Sequence, residues 1–189
     1  MAVKATIYKA DLEVSDIDRG YYETHALTLA LHPSENEERL MVRLLAFALN
    51  AGPQLAFGRG ISTDDEPDLW ARDLTGQVDL WIEVGQPDES RIRKACGRAG
   101  EVRVYCFSGR SAAIWWTKNA AALERCGNLQ VFEVSVEASQ QLAALASRNM
   151  RLQCIVQEGV VQVMGGESIV EVELVQLAGK ARAGKHPRA

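Results

Sequence analysis

A mixed α+β fold is what the sequence predicts, and three observations predict it. Apolar and polar residues alternate near the start of the chain, with Val3, Ala5 and Ile7 against Lys4, Thr6 and Tyr8, and again through Tyr21, Glu23, His25, Leu27, Leu29 and Leu31. That is the period of two of a half-buried strand. Leu40, Met41, Leu44, Leu45 and Ala48 instead recur at helical spacing. The chain then closes on three strand-like runs, RLQCIVQ, VVQVM and SIVEVELVQL, punctuated by Glu158-Gly159 and Gly165-Gly166, an antiparallel meander. At 189 residues, against about 150 per domain, this is a single domain, placed at 1–177. A small-residue basic segment at 178–189 is expected to be a flexible tail.

The elements follow in order. Asp16, Asp18 and Gly20 join the first two strands as a long hairpin. Ser34 and Glu37 form an S-x-x-E capping box after Pro33, opening a helix that runs to about Asn50, before Gly52-Pro53. LAFG is a short strand, and two more occupy 67–73 and 77–84. Asp88 N-caps a helix with Ile92, Ala95, Cys96 and Ala99 on one face, stopping at Gly100. Val102 to Phe107 is a strand, SAAIWWTKNAAALER a helix, LQVFEVSV a strand and QQLAALASRN a helix. Trp115 and Trp116 point opposite ways, so at least one belongs to the core.

Composition narrows the function classes. With 47% hydrophobic and 24% charged residues, the chain is neither disordered, collagenous nor a coiled coil. No apolar run reaches the roughly 18 residues of a membrane helix, and the N-terminus lacks a signal-peptide core, so the expectation is a cytoplasmic protein with no membrane partner. Four cysteines at 96, 106, 126 and 154 contain no C-x-x-C pair, and three histidines form no H-E-x-x-H. Free, mostly buried thiols and a hard cation on carboxylates remain. The net charge of −4 argues against simple coating of nucleic acid. Charge is uneven, however: Arg91, Arg93, Lys94, Arg98, Arg103 and Arg110 crowd one segment, and Lys180, Arg182, Lys185 and Arg188 the tail, against Glu35, Glu37 and Glu38 and the run Asp64, Asp65, Glu66, Asp68. The alternative is plain solvated surface.

DLWARDLTGQVDLWIE is a hairpin. With a two-residue loop at Thr75-Gly76, Asp68 falls opposite Glu83, Trp70 opposite Trp81 and Arg72 opposite Asp79 on one face, with Leu69 against Ile82 and Ala71 against Leu80 on the other. A shift of one residue would destroy this separation. Opposed residues root about 5 Å apart, so Asp68 and Glu83 can share a divalent cation, whereas Asp79 lies about 13 Å from Glu83 along the strand. The alternative is a strand edge whose acids face water.

Pro67-Asp68, the strand QVDLWIEVGQPDE, the RIRKACGRA helix and the later IWW resemble the bacterial YaeQ family over most of the chain. That family is similar to the PD-(D/E)XK nuclease superfamily, so the resemblance implies a restriction-endonuclease-like core of helix, three strands, helix and strand within about 36–136. It also implies a phosphodiester hydrolase using magnesium or manganese. Carried over, Asp68 and Glu83 hold the metal. The lysine expected two residues after the second acid is absent, Gly85 standing there, and Lys94 on the following helix is the candidate replacement. Gln86 is a candidate water-orienting group. Glu38 matches a helix position where related nucleases often carry another acid.

In such a site Asp68, Glu83, Lys94 and Gln86 are the catalytic set, and Arg72, Arg91 and Arg98 are placed to hold a nucleic-acid backbone. Trp70 and Trp81 are more simply a packed cross-strand pair than a base-stacking platform. The rival expectation is a module that keeps the nuclease fold without its chemistry and binds nucleic acid or a protein partner. A small-molecule phosphohydrolase is disfavoured, because FGRG at 57–60 lacks the GK[ST] ending of a phosphate loop. Oligomeric state and the choice between DNA and RNA are left open.

Overall fold

Helix α1 (Glu37–Asn50) organises the molecule, because every residue from Leu40 to Asn50 is buried. A helix buried on all sides must be packed on all sides, and in the computed structural model, which describes residues 4–59 and 65–179, two sheets supply much of that packing. A five-stranded sheet has the order β10-β9-β8-β1-β2, and a six-stranded sheet the order β11-β7-β6-β5-β4-β3. Leu12, Val14 and Leu29 of the first, Leu69 and Ile82 of the second, and Leu40, Leu44 and Leu45 of α1 belong to one core.

The first sheet joins the two ends of the chain. β1 (Thr6–Asp16) and β2 (Tyr21–Leu31) form the expected hairpin, and β8 (Asn149–Gln157), β9 (Val160–Gly165) and β10 (Ser168–Val172) form the meander. β1 pairs in parallel with β8 to join them. Glu158 and Gly159, with φ of 52° and 78°, make the two-residue turn that antiparallel strands favour. Asp18 in the first hairpin accepts the N–H groups of both, at 2.7 and 2.9 Å.

The second sheet holds β3 (Leu55–Phe57), β4 (Leu69–Arg72), β5 (Val78–Val84), β6 (Ala99–Cys106), β7 (Leu129–Val134) and β11 (Leu174–Ala178). β3, β4 and β5 are antiparallel, β5, β6 and β7 parallel, and β11 antiparallel to β7. One face meets α1 and α4 (Val136–Ala144). The other carries a second apolar cluster against α2 (Glu89–Cys96) and α3 (Arg110–Leu123), including Trp81, Ile92, Val104 and Leu123.

Several boundaries differ from expectation for identifiable reasons. α1 is capped by Asn36, whose side chain accepts the Arg39 N–H at 2.9 Å, because Ser34 is engaged with His32 and Glu35 with the His32 N–H. α2 ends at Gly97 rather than Gly100, since Ala99 already pairs with Val78 in the sheet. α4 starts earlier, on the cap Ser135, and Asn149 belongs to β8. The last apolar run divides at Glu173, β10 staying in the first sheet while β11 crosses to the second. β11 reaches Ala178, so the tail begins no earlier than Gly179, and residues 180–189 lie outside the described residues. Trp115 and Trp116 are both half-buried against the second cluster, neither one fully in the core.

Candidate functional site

The β4–β5 hairpin keeps the expected register for three pairs: Leu69 with Ile82, Trp70 with Trp81 and Ala71 with Leu80. The turn then departs from it. Arg72 pairs with Val78 rather than Asp79, because a bulge follows Ala71. The loop is longer than two residues: the Asp73 N–H donates to the Gln77 carbonyl at 2.9 Å, and Asp73 Oδ1 accepts from the N–H groups of Thr75 and Gln77. Arg72 therefore has no acid opposite it. Its guanidinium lies over the Trp70 ring, 3.4 Å from the centroid, and Trp70 meets Trp81 edge to face at 6.1 Å.

At the far end of this hairpin Asp68, just before β4, meets the end of β5. Asp68 Oδ2 accepts the Val84 N–H at 2.7 Å, and Oδ1 accepts from Arg39 Nη2 at 2.6 Å. Glu83 is 4% exposed. Its Oε1 accepts from Trp81 Nε1 and from Arg91 Nε, both at 2.8 Å. Burial raises the Glu83 pKa above the usual carboxylate value, and the Asp68 charge raises it further, against the lowering effect of Trp81 and Arg91. The fold thus brings the two predicted acids close enough to feel each other, and supplies each with an arginine from a different layer, Arg39 from α1 and Arg91 from α2.

The other predicted residues lie around this pair. Arg91 also donates to the Glu66 carbonyl at 2.7 Å. Lys94 Nζ is 2.8 Å from Asp65, which Arg98 also approaches at 3.4 Å. Lys94 and Arg98 are thus gathered on an acid three residues before Asp68. Gln86 donates through its amide to the Phe107 carbonyl. Glu38 accepts from Ser139 of α4 at 2.6 Å, turned towards α4.

Arg39 and Arg43 were not among the residues expected at the site, and Glu35 was expected only as part of an acidic run. Glu35, whose side chain is 2% exposed, binds Arg39 Nε at 2.8 Å and stands 3.7 Å from Arg43. Arg39 Nη1 also donates to the Val84 carbonyl. Burial works against the charge of Arg39, yet Asp68 and Glu35 together hold its proton more tightly than usual. The signal for this set was present as E-x-x-x-R-x-x-x-R at 35, 39 and 43, a polar line at helical spacing that runs from just before α1 into its first turns.

Carboxylate oxygens of Asp68 and Glu83 and the Val84 carbonyl are hard donors of the kind magnesium or manganese takes. A guanidinium cation already lies on two of these three groups. Donor chemistry therefore fits a divalent ion. Among the described residues, no group of three or more His, Cys, Asp or Glu side chains gathers as ligands, so water would complete such a shell.

The family model described as "YaeQ protein" matches residues 1–174. A protein of Escherichia coli strain K12, "Uncharacterized protein YaeQ", is 45% identical over 174 residues, covering 92% of this chain and 96% of its own length. That of Salmonella typhi is 43% identical over the same extent. The crystal structure of the YaeQ protein from Xanthomonas axonopodis pv. citri superposes with a TM-score of 0.90 at 52% identity, covering 94% of this chain and all of that one, 100%. That of the Pseudomonas syringae protein gives 0.89 at 38% identity, covering 93% and 97%.

Proposed function

The chain belongs to the YaeQ family, and from that premise we propose that it is a magnesium- or manganese-dependent phosphodiester hydrolase acting on nucleic acid through a PD-(D/E)XK-like site. The observation that carries this reading is the hairpin register that sets Asp68, bonded to the Val84 N–H, across from buried Glu83. Two carboxylates held together at a largely enclosed strand end are the hard-oxygen pair such chemistry needs. The order α1, β3, β4, β5, α2, β6 supports it, being the helix, three strands, helix, strand of a restriction-endonuclease-like core.

Asp68, Glu83 and the Val84 carbonyl would hold the ion. When bound, it would polarise a phosphodiester oxygen and lower the pKa of a water molecule. The chain's own contribution is electrostatic. Arg91 sits at the acids and is placed to meet a phosphate oxygen, while Lys94 and Arg98, now on Asp65, offer two further cations to the backbone. Lys94 would serve the reaction only by leaving Asp65. Gln86 is held by the Phe107 carbonyl and would orient water through its side-chain oxygen. Arg72 on Trp70 extends the basic surface along the hairpin.

A second reading has its own observation. Each acid already carries an arginine, so the network is neutralised without metal, as in a fold retained for binding nucleic acid or a protein. Incubating wild type, Asp68→Asn and Glu83→Gln with labelled single-stranded, duplex and branched DNA and with RNA, in magnesium and in manganese, separates the two. Metal-dependent cleavage lost in both variants establishes the hydrolase. Salt-sensitive binding that survives both substitutions, without cleavage, establishes the binding module.

A further inference from the structure

The position two residues after Glu83 is Gly85, and its backbone explains why no side chain stands there. Its φ is +99°, a conformation L side chains rarely adopt, and a Cβ added to it would lie 3.1 Å from Arg39 Nη1. The space that a cationic side chain at 85 would enter is therefore occupied from the other direction, by the guanidinium of α1. That guanidinium is gripped at three points: Glu35 Oε1 on Nε, Asp68 Oδ1 on Nη2 and the Val84 carbonyl on Nη1. Two of those oxygens are the ones a divalent ion on Asp68 would take.

We propose that Arg39 is the resident cation of this site, a guanidinium that occupies the oxygen set of Asp68 and Val84 and that a divalent ion must displace before it can bind. This rests on the metal-site reading above and adds to it a control on entry. A planar fork matched to a carboxylate and a carbonyl is a strong competitor. It cannot be removed by deprotonation at working pH, because its charge is permanent. Metal affinity is thus set by the difference between two cations for one set of oxygens, and Glu35 supplies the alternative partner on which Arg39 stays held when it lets go of Asp68.

The test is manganese binding to the full chain by calorimetry and electron paramagnetic resonance, for wild type, Arg39→Met, Arg39→Lys, Asp68→Asn and the Arg39→Met/Asp68→Asn pair. Thermal melts accompany each. Removing the competitor is expected to tighten manganese binding about tenfold or more in Arg39→Met, with Arg39→Lys between it and wild type and no binding in either protein carrying Asp68→Asn. In wild type, titrating magnesium is expected to move the Arg39 Nε–H resonance, which reports displacement without any reaction. Wild-type binding that depends on Asp68 but is unchanged or weakened in a folded Arg39→Met or Arg39→Lys overturns the proposal and leaves the hydrolase reading standing. Absence of binding in every protein overturns both.

Discussion

At Glu83 burial and a neighbouring negative charge act against ionisation, so the folded state holds its proton more tightly than the unfolded chain does. A carboxyl whose folded pKa is raised makes stability fall as pH rises through the window from its unfolded value, near 4.5, up to its folded one. Glu83→Gln removes that component. Its stability relative to wild type is expected to improve as pH rises through this window and to level off above it, as urea unfolding at a series of pH values would reveal. A flat difference would show that Arg91 and Trp81 offset the burial completely. The thiols make a second prediction at this scale. Burial pushes Cys106 and Cys154 up to about 12, so both are expected to resist a thiol reagent at pH 8 until denaturant is added. Mass spectrometry of the labelled peptides would read this.

Among elements, α1 carries the largest burden because it is enclosed by both sheets. Leu45 is 0% exposed and belongs to the core that both sheets share, so a cavity there is enclosed. Leu45→Ala is expected to cost about 2–5 kcal/mol, measured by chemical denaturation. A loss below 1 kcal/mol would mean that the layers close over the gap. The turn between β8 and β9 gives a smaller figure. Gly159 has a φ of +78° with nothing within 4 Å of a Cβ placed on it, so the cost of Gly159→Ala is purely conformational. A value of about 1–2 kcal/mol is expected, with no change in the fold by far-ultraviolet circular dichroism.

The whole molecule is tied together by a shared core rather than by its domain boundaries. The five-stranded sheet contains no tryptophan, the residues at 70, 81, 115 and 116 lying on or against the second sheet. Leu12 of β1 nevertheless shares a core with α1 and with Ile82. Leu12→Ala is therefore expected to lower the denaturation midpoint seen by tryptophan fluorescence as much as that seen by circular dichroism. Separated midpoints would show that the two sheets unfold independently.

Much of this was legible along the chain because it is local. Alternation marked β1, β2 and the meander, helical recurrence marked α1, and the pairing of apolar with apolar residues placed Asp68 beside the end of β5 together with Glu83. These depend on neighbours within one element or one hairpin, where period and register leave a trace in the sequence. What the tertiary structure alone decided is non-local. The parallel pairing of β1 with β8 and the crossing of β11 to the second sheet join segments far apart in sequence. The loop at Asp73 departs from its expected form through the bulge after Ala71 and the bonds of the Asp73 carboxylate to the Thr75 and Gln77 N–H groups. The partners of the two acids were decided the same way. Arg39 stands 29 residues from Asp68, and only the burial of α1 between two sheets brings its guanidinium to the carboxylate and into the space that Gly85 leaves open.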